Sequence, residues 1–131
     1  MADADGPMAR RFFKALMSGA RESVPMTPGA VLWHNFDEVE TPLASAFDIF
    51  AAIRAVLPDF GFDEVSAVVA GVDRSIAQYV CTASLPDGST FRAPACAVLT
   101  EERGLLHRVE EYVDSAQFAP VFALLGVAPN K

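Results

Sequence analysis

Residues 75–100 read SIAQYVCTASLPDGSTFRAPACAVLT, and this stretch predicts two β-strands joined by a tight turn. Its two halves, Ser75–Leu85 and Thr90–Thr100, carry the β-branched and aromatic residues that are typical of strands. Pro86-Asp87-Gly88 separates them and is a turn signal, because proline presets φ and glycine tolerates a positive φ. Pro94 inside the second half predicts an edge position or a β-bulge, and bulges bend sheets. The stretch therefore indicates a hairpin within a curved sheet.

Two more predicted strands flank this hairpin. Phe62–Val72 precedes it and Leu105–Val113 follows it, with turn signals at Asp73-Arg74 and Glu101–Gly104. No helix fits between any of these four strands, so we expect them to be consecutive antiparallel neighbours.

Helices are predicted mainly before the sheet. In Pro7–Ala20 the apolar residues Met8, Phe12 and Leu16 recur every four positions, as on the buried face of an amphipathic helix. A second helix is predicted over Ala44–Leu57, whose buried stripe consists of Ala46, Phe50, Ile53 and Leu57.

The remaining segments complete the predicted order. Ala30–Phe36 is expected to be a strand, and the acidic stretch Asp37–Pro42 a loop. After Asp114 a closing helical segment is expected, either as one helix or as two short turns around Pro120. We therefore predict an α+β fold, with N-terminal helices packed on a strongly curved, mostly antiparallel sheet that forms a cone with an apolar pocket. One domain over residues 1–131 is expected, with residues 1–6 as a loose tail.

Composition narrows the partners. The 131 residues are 52% hydrophobic and 21% charged with a net charge of −7, which indicates a folded chain and argues against nucleic acid. No basic amphipathic face is present, so no membrane surface is expected, and the acidic N-terminus argues against a signal peptide. Cys81 and Cys96 suit a reducing compartment, so a cytoplasmic location is expected. No metal-ligand spacing appears, so neither a metal nor a cofactor is predicted.

Several predicted strands carry apolar side chains on both of their faces. Val68-Val69-Ala70 and Ala95–Leu99 show this most clearly. Because large exposed apolar patches are uncommon in monomers, we expect both faces of the sheet to be covered and predict a homodimer through the sheet.

Three stretches carry a resemblance to a known family. They are RFFKALMSG at residues 11–19, VLWHN at 31–35 and GLLHRVEEYVD at 104–114. Their order and spacing resemble the nuclear transport factor 2-like (cystatin-like, SnoaL-like) superfamily over nearly the whole chain. The resemblance implies that superfamily's cone-shaped fold. It implies no single reaction, because the superfamily includes isomerases, cyclases, hydrolases, dehydratases and non-catalytic binders.

The steroid isomerases of this superfamily use a tyrosine and a protonated acid as hydrogen-bond donors and an aspartate as base. In this chain Phe12 matches the tyrosine, the acid falls near Cys96, and the base falls near His34 or Asn35. Phenylalanine cannot donate a hydrogen bond and a thiol donates weakly, so the resemblance does not imply steroid isomerisation.

The limonene epoxide hydrolases of the superfamily hold a water between a tyrosine, an asparagine and an Asp–Arg–Asp relay. By resemblance, Trp33 and Asn35 occupy the tyrosine and asparagine positions and Glu111 matches the last acid. Gln78 and Val80 fall on the arginine and first aspartate positions, so the relay is incomplete.

Glu111 is the strongest catalytic candidate. Strand alternation places it on one face with His107, Val109 and Val113. Burying an ionised carboxylate beside valines costs free energy unless the carboxylate is paired. A carboxyl group in such surroundings is suited to act as a general acid or base. The alternative is the opposite register, with Glu111 solvated beside Glu110.

Other polar residues are weaker candidates. Asn35 could orient substrate beside Trp33, or it could cap a turn next to a core tryptophan. His34 could shuttle a proton or be structural. The predicted substrate-binding residues are Phe12, Trp33, Gln78, Tyr79, Val80, Cys96, His107 and Val109.

Two functional hypotheses follow. The first is a small-molecule enzyme that uses Glu111, Asn35 and His34 for acid/base chemistry on an apolar, cyclic or polyketide-like substrate. The second is a non-catalytic small-molecule-binding or dimeric interaction module.

Overall fold

The computed structural model describes residues 6–126. Its helices and strands, in chain order, are α1 (Met8–Ser18), β1 (Met26–His34), β2 (Glu40–Pro42), α2 (Ser45–Val56), β3 (Gly61–Val69), β4 (Arg74–Ser84), β5 (Thr90–Glu102), β6 (Leu105–Tyr112) and α3 (Ser115–Leu125). A short 3₁₀ turn, Arg21–Ser23, follows α1. The predicted α+β class is confirmed, and β2 is a short strand within the segment that we expected to be a loop.

Local chemistry sets the helix ends. Gly19 ends α1 at φ 77°, a left-handed conformation that glycine adopts without a steric penalty. Asp114 begins α3, because its carboxylate accepts a hydrogen bond from the Ala116 N–H at 2.8 Å. The helix continues through Pro120, so the single-helix alternative is the correct one.

The six strands form one sheet in the order β2-β1-β6-β5-β4-β3. All neighbouring strands are antiparallel except β1 and β6, which are parallel, so the sheet is mostly antiparallel as predicted. The pairing of β5 with β6 begins at Cys96, so Pro94 lies where β5 has no partner on that side. This local edge explains how a proline fits an interior strand.

One face of the sheet packs on the three helices. Its side chains form the core together with the apolar stripes of α1, α2 and α3, and the most deeply buried include Phe12, Phe13, Leu99, Leu106 and Val109. The other face carries partly exposed apolar side chains and is called the outer face below; it includes Trp33, Ile76, Val98, Tyr112 and Val68. None of the helices in residues 6–126 is long and apolar enough to cross a bilayer.

Candidate functional site

An apolar cavity of about 460 Å³ lies between the three helices and the face of the sheet that packs on them, which is called the inner face below. Its polar wall residues are His34, Asp37, Thr41, Cys81 and Glu111. The rest of the wall is aliphatic and aromatic: Phe12, Leu16, Leu32, Phe36, Val39, Ala46, Ile49, Phe50, Ala52, Ile53, Phe60, Phe62, Val113, Phe118, Val121, Phe122 and Leu125. A concave apolar site with a few polar groups is typical of small-molecule binding.

The parallel pairing of β1 with β6 brings His34 next to Glu111. These residues are register partners, and His34 Nε2 lies 2.8 Å from Glu111 Oε1. The two side chains are 20% and 15% exposed, so the pair is largely withdrawn from water. The structure therefore joins a carboxylate and an imidazole at the cavity wall.

Tyr79 holds the second oxygen of the same carboxylate. It comes from β4, and its hydroxyl donates a hydrogen bond to Glu111 Oε2. Between the two strands runs β5, where Ala95 pairs with Tyr79 and Ala97 pairs with Glu111. Because these alanines are small, the phenol can reach across β5 to the acid.

Burial and charge together decide the protonation of the groups around Glu111. Burial alone would lower the pKa of His34, but the hydrogen bond to Glu111 and the charges of Glu111 and Asp37 outweigh it and raise that pKa above 6.5. Burial, followed by the Glu111 charge, raises the pKa of Tyr79 well above its usual value. The same two causes raise the pKa of Cys81, so this cavity-lining residue is a thiol and not a thiolate nucleophile.

Removing the charge of Glu111 tests this coupling. Glu111→Gln is expected to lower the pKa of His34 relative to the wild type, because burial is then less opposed. The imidazole signals of His34 and His107, the chain's two histidines, would be followed by NMR over a pH series and assigned with His107→Asn. Glu110→Gln on the outer face is the matched control, and an unchanged His34 titration in Glu111→Gln would contradict the coupling.

The raised pKa of His34 also predicts the direction in which stability changes with pH. The charged His34–Glu111 pair stabilises the fold fully below pH 6.5, the ordinary pKa of histidine. This stabilisation is lost as the pH rises through the raised pKa of His34. We expect the free energy of unfolding of the wild type, measured relative to His34→Asn, to fall as pH rises from slightly acidic to alkaline. A difference that grows with pH would be inconsistent with this account.

The structure places two residues of β1 differently from expectation. Leu32 and His34 face the core and the cavity, so Trp33 lies on the outer face with its ring 5.4 Å from that of Tyr112. The Asn35 amide oxygen accepts a hydrogen bond from the Val113 N–H at 2.9 Å, and the Asn35 N–H donates to the Glu111 carbonyl at 3.1 Å. Asn35 therefore fastens β1 to the end of β6, and neither residue lines the cavity.

The other strands show the same dependence on parity. On β4 the inward residues are Tyr79 and Cys81, so Gln78 and Val80 lie on the outer face, where Gln78 is exposed and pairs with the partly exposed Cys96. Neither Gln78, Val80 nor Cys96 contacts the cavity. Both thiols are free.

A β-bulge changes the expected position of His107. Thr100 pairs with Arg108 and Glu101 pairs with Leu106, which leaves His107 as the extra residue of β6. The His107 ring lies 2.8 Å from the Thr27 hydroxyl, away from the cavity. Val109 does face inward, but it is completely buried beneath the wall and does not line the cavity.

The structure adds wall residues that the sequence did not single out. Asp37, three residues beyond His34, and Cys81 both line the cavity. Phe118 and Phe122 of α3 complete its wall, as their helical spacing could have suggested. Phe12, a predicted substrate-binding residue, also lines the cavity. No group of three or more His, Cys, Asp or Glu side chains in residues 6–126 is placed to hold a metal ion.

A second depression of about 570 Å³ opens on the surface between α1 and α2. It contains Arg21, which pairs with Asp48 at 3.2 Å, and Arg54, which donates to the Phe60 carbonyl at 2.7 Å. Both guanidinium groups are engaged by the protein itself. The acid/base groups at Glu111 therefore mark the cavity as the better candidate site.

Comparisons with known proteins support the fold. No family model and no curated protein matches the chain. Among solved structures, the candidate polyketide cyclase IdmH from Streptomyces antibioticus superposes with a TM-score of 0.73 at 17% identity, covering 92% of this chain and 96% of that one. A candidate polyketide cyclase from Pseudomonas putida gives 0.67 at 13% identity, covering 85% and 92%. An NTF2-like protein from Burkholderia thailandensis gives 0.71 at 13% identity, covering 88% and 94%. The chain has the nuclear transport factor 2-like (SnoaL-like) fold, as the sequence resemblance implied.

Proposed function

We propose that the chain is a SnoaL-like small-molecule enzyme that transfers a proton on an apolar, cyclic or polyketide-like substrate in the cavity. The observation that carries the proposal is the Glu111 carboxylate, which lies at the wall of a mostly apolar cavity with a hydrogen-bond partner on each oxygen. Burying a carboxylate in apolar surroundings lowers the stability of the fold, so a purely structural role does not account for it. Carboxylates in such positions are typical of acid/base sites. The description of IdmH and of the Pseudomonas putida protein as candidate polyketide cyclases supports this substrate class.

Each of the three side chains has a role in the proposed step. Glu111 removes a proton from a carbon next to a substrate carbonyl; the C–H bond breaks, and its electron pair moves to the carbonyl oxygen. His34, when protonated, supplies positive charge 2.8 Å from the same carboxylate, and Tyr79 orients that carboxylate from behind. The proton then returns to another atom, or the enolate carbon attacks a second carbonyl to close a ring.

Deprotonation of 5-nitrobenzisoxazole tests this step. The probe is an uncharged bicyclic compound; a base removes its C–H proton, the N–O bond breaks, and a coloured phenolate forms. We expect the purified protein to accelerate this reaction above an equal concentration of acetate, and to do so through Glu111. Binding of cyclic ligands without any turnover would instead favour the non-catalytic binding module.

We also propose that the chain acts in the cytoplasm as a homodimer through the outer face. Trp33, Glu110, Val98, Ile76 and Val68 form one continuous row across five strands by their register. The acid in that row is paired with Arg108 at 2.8 Å within the chain, so the row offers mainly apolar surface to a second copy.

The oligomeric state can be measured by light scattering after gel filtration. We expect a mass of about twice 14.0 kDa for the wild type and a shift toward the monomer for Ile76→Arg. Val72→Arg, at a position that is 97% exposed in the turn after β3, is the matched control. A monomeric wild type would exclude the dimer without affecting the proposed chemistry.

A further inference from the structure

The charges in the cavity wall are unbalanced. Two carboxylates, Asp37 and Glu111, line it, together with the imidazole of His34 and the thiol of Cys81. Neither a lysine nor an arginine is among the described residues of this wall. The wall therefore offers an anionic ligand no permanent positive charge.

The positive charge that His34 can carry is already engaged. Its Nε2 lies 2.8 Å from Glu111, and Asp37 acts on the same ring through its charge. With both carboxylates ionised, the three formal charges sum to −1 when His34 is protonated and to −2 when it is neutral. In neither state does the cavity have a positive charge to spare.

An anion in this cavity would meet two unfavourable effects. First, it would leave water for a wall that is mostly aliphatic and aromatic. Second, it would lie near two carboxylates, Asp37 and Glu111, between which the positive charge of His34 is shared. An uncharged ring compound of the same shape would meet neither effect and would gain the same apolar contact. A hydroxyl or amide N–H on that compound could still donate to the Glu111 carboxylate.

We propose that the cavity selects an electrically neutral ring compound and discriminates against its anionic counterpart, with Asp37 and Glu111 as the specificity-determining residues. This inference rests on the proposed function of the same cavity and adds the charge of the substrate. A reaction that supplies this substrate would then have to deliver it with its acid groups esterified, amidated or otherwise masked.

Two probes of nearly equal shape test the inference. 2-Naphthamide is neutral and 2-naphthoate carries one negative charge; binding of both to the wild-type protein would be measured at neutral pH by calorimetry. We expect 2-naphthamide to bind about tenfold more tightly than 2-naphthoate. Equal affinity, or any preference for 2-naphthoate, would overturn the inference and leave the proposed function standing.

Asp37→Asn shows whether the wall charge is the cause. The Asp37 carboxylate accepts a hydrogen bond from the Val39 N–H at 3.1 Å. The asparagine amide oxygen can accept the same hydrogen bond, while the substitution removes one negative charge. We expect Asp37→Asn to reduce the preference for 2-naphthamide over 2-naphthoate about threefold, because 2-naphthoate should bind more tightly to the variant. Glu38→Gln, on an exposed neighbour outside the wall, is the matched control and should leave the preference unchanged.

The remaining outcomes are equally decisive. A preference that stays the same in both Asp37→Asn and Glu111→Gln would contradict the inference, because the discrimination would then not come from the wall charges. Binding of neither probe would overturn both this inference and the proposed use of the cavity. Failure of the proposed function alone would appear as selective binding with no proton transfer from 5-nitrobenzisoxazole.

Discussion

Glu111→Gln is expected to slow the deprotonation of 5-nitrobenzisoxazole by about 100- to 10,000-fold, the usual contribution of a positioned general base. The amide has nearly the same shape as the carboxylate but cannot accept the proton. It can still receive a hydrogen bond from Tyr79, so the cavity should keep its form. The rate would be followed as the absorbance of the phenolate product, with thermal unfolding measured in parallel to show that the variant is folded.

The adjacent acid supplies the control for this experiment. Glu110 is the register partner of Trp33 and Val98 on the outer face, and its carboxylate pairs with Arg108. Glu110→Gln makes the same chemical change one residue away, on a side chain that does not line the cavity, and should leave the rate within about twofold of the wild type. If Glu111→Gln retained the wild-type rate, Glu111 would not be the base.

Phe13→Ala is expected to lower the free energy of unfolding by about 3–5 kcal/mol, the cost of emptying a buried phenylalanine site. The Phe13 ring is 2% exposed, and its centroid lies 5.0 Å from that of Phe62 and 4.3 Å from that of Tyr79. Since Tyr79 reaches Glu111 from the same region of the core, the cavity created by the truncation also removes support from the site. Urea denaturation at neutral pH would measure the loss.

Two variants calibrate this stability prediction. Phe13→Leu keeps most of the buried volume and should cost about 1–2 kcal/mol. Val72→Ala truncates an apolar side chain that is 97% exposed in the turn after β3 and should cost less than Phe13→Ala. A loss below about 1 kcal/mol for Phe13→Ala would mean that the core relaxes around Phe13 and does not depend on its packing.

Periodicity in the sequence was sufficient to identify the helices and most strands. The four-residue spacing of Met8, Phe12 and Leu16 predicts the buried face of α1, and all three side chains are buried. The hairpin of β4 and β5 forms around Pro86-Asp87-Gly88 as predicted, because turn chemistry is local. The α+β class and the nuclear transport factor 2-like fold were therefore within reach of the sequence.

The side of the sheet to which each side chain points was harder to predict. Alternation correctly places Trp33 and His34 on opposite faces of β1, but it does not indicate which of them faces the helices. A shift of one residue moves every side chain of a strand to the opposite face. The resemblance placed Gln78 and Val80 at the site, but both lie on the outer face of β4, whereas Cys81 lines the cavity. The bulge at His107 is a further change of parity that no local pattern reveals.

The pairing of His34 with Glu111 depends on long-range topology. The residues are 77 positions apart, and only the parallel pairing of β1 with β6 makes them neighbours. The contact from Tyr79 further depends on small residues at Ala95 and Ala97 in the strand between. The sequence supplied the individual candidates Glu111, His34 and Tyr79, whereas their assembly required the three-dimensional structure.

The most direct test is an NMR titration with 2-naphthamide, because the chain contains reporters on both faces of the sheet. A ligand beside Glu111 should shift the imidazole signals of His34 and leave those of His107 and the indole N–H of Trp33, the single tryptophan, unchanged. Movement of Trp33 or His107 with a stationary His34 would show that ring compounds bind outside the cavity, and the assignment of the site to Glu111 would be wrong.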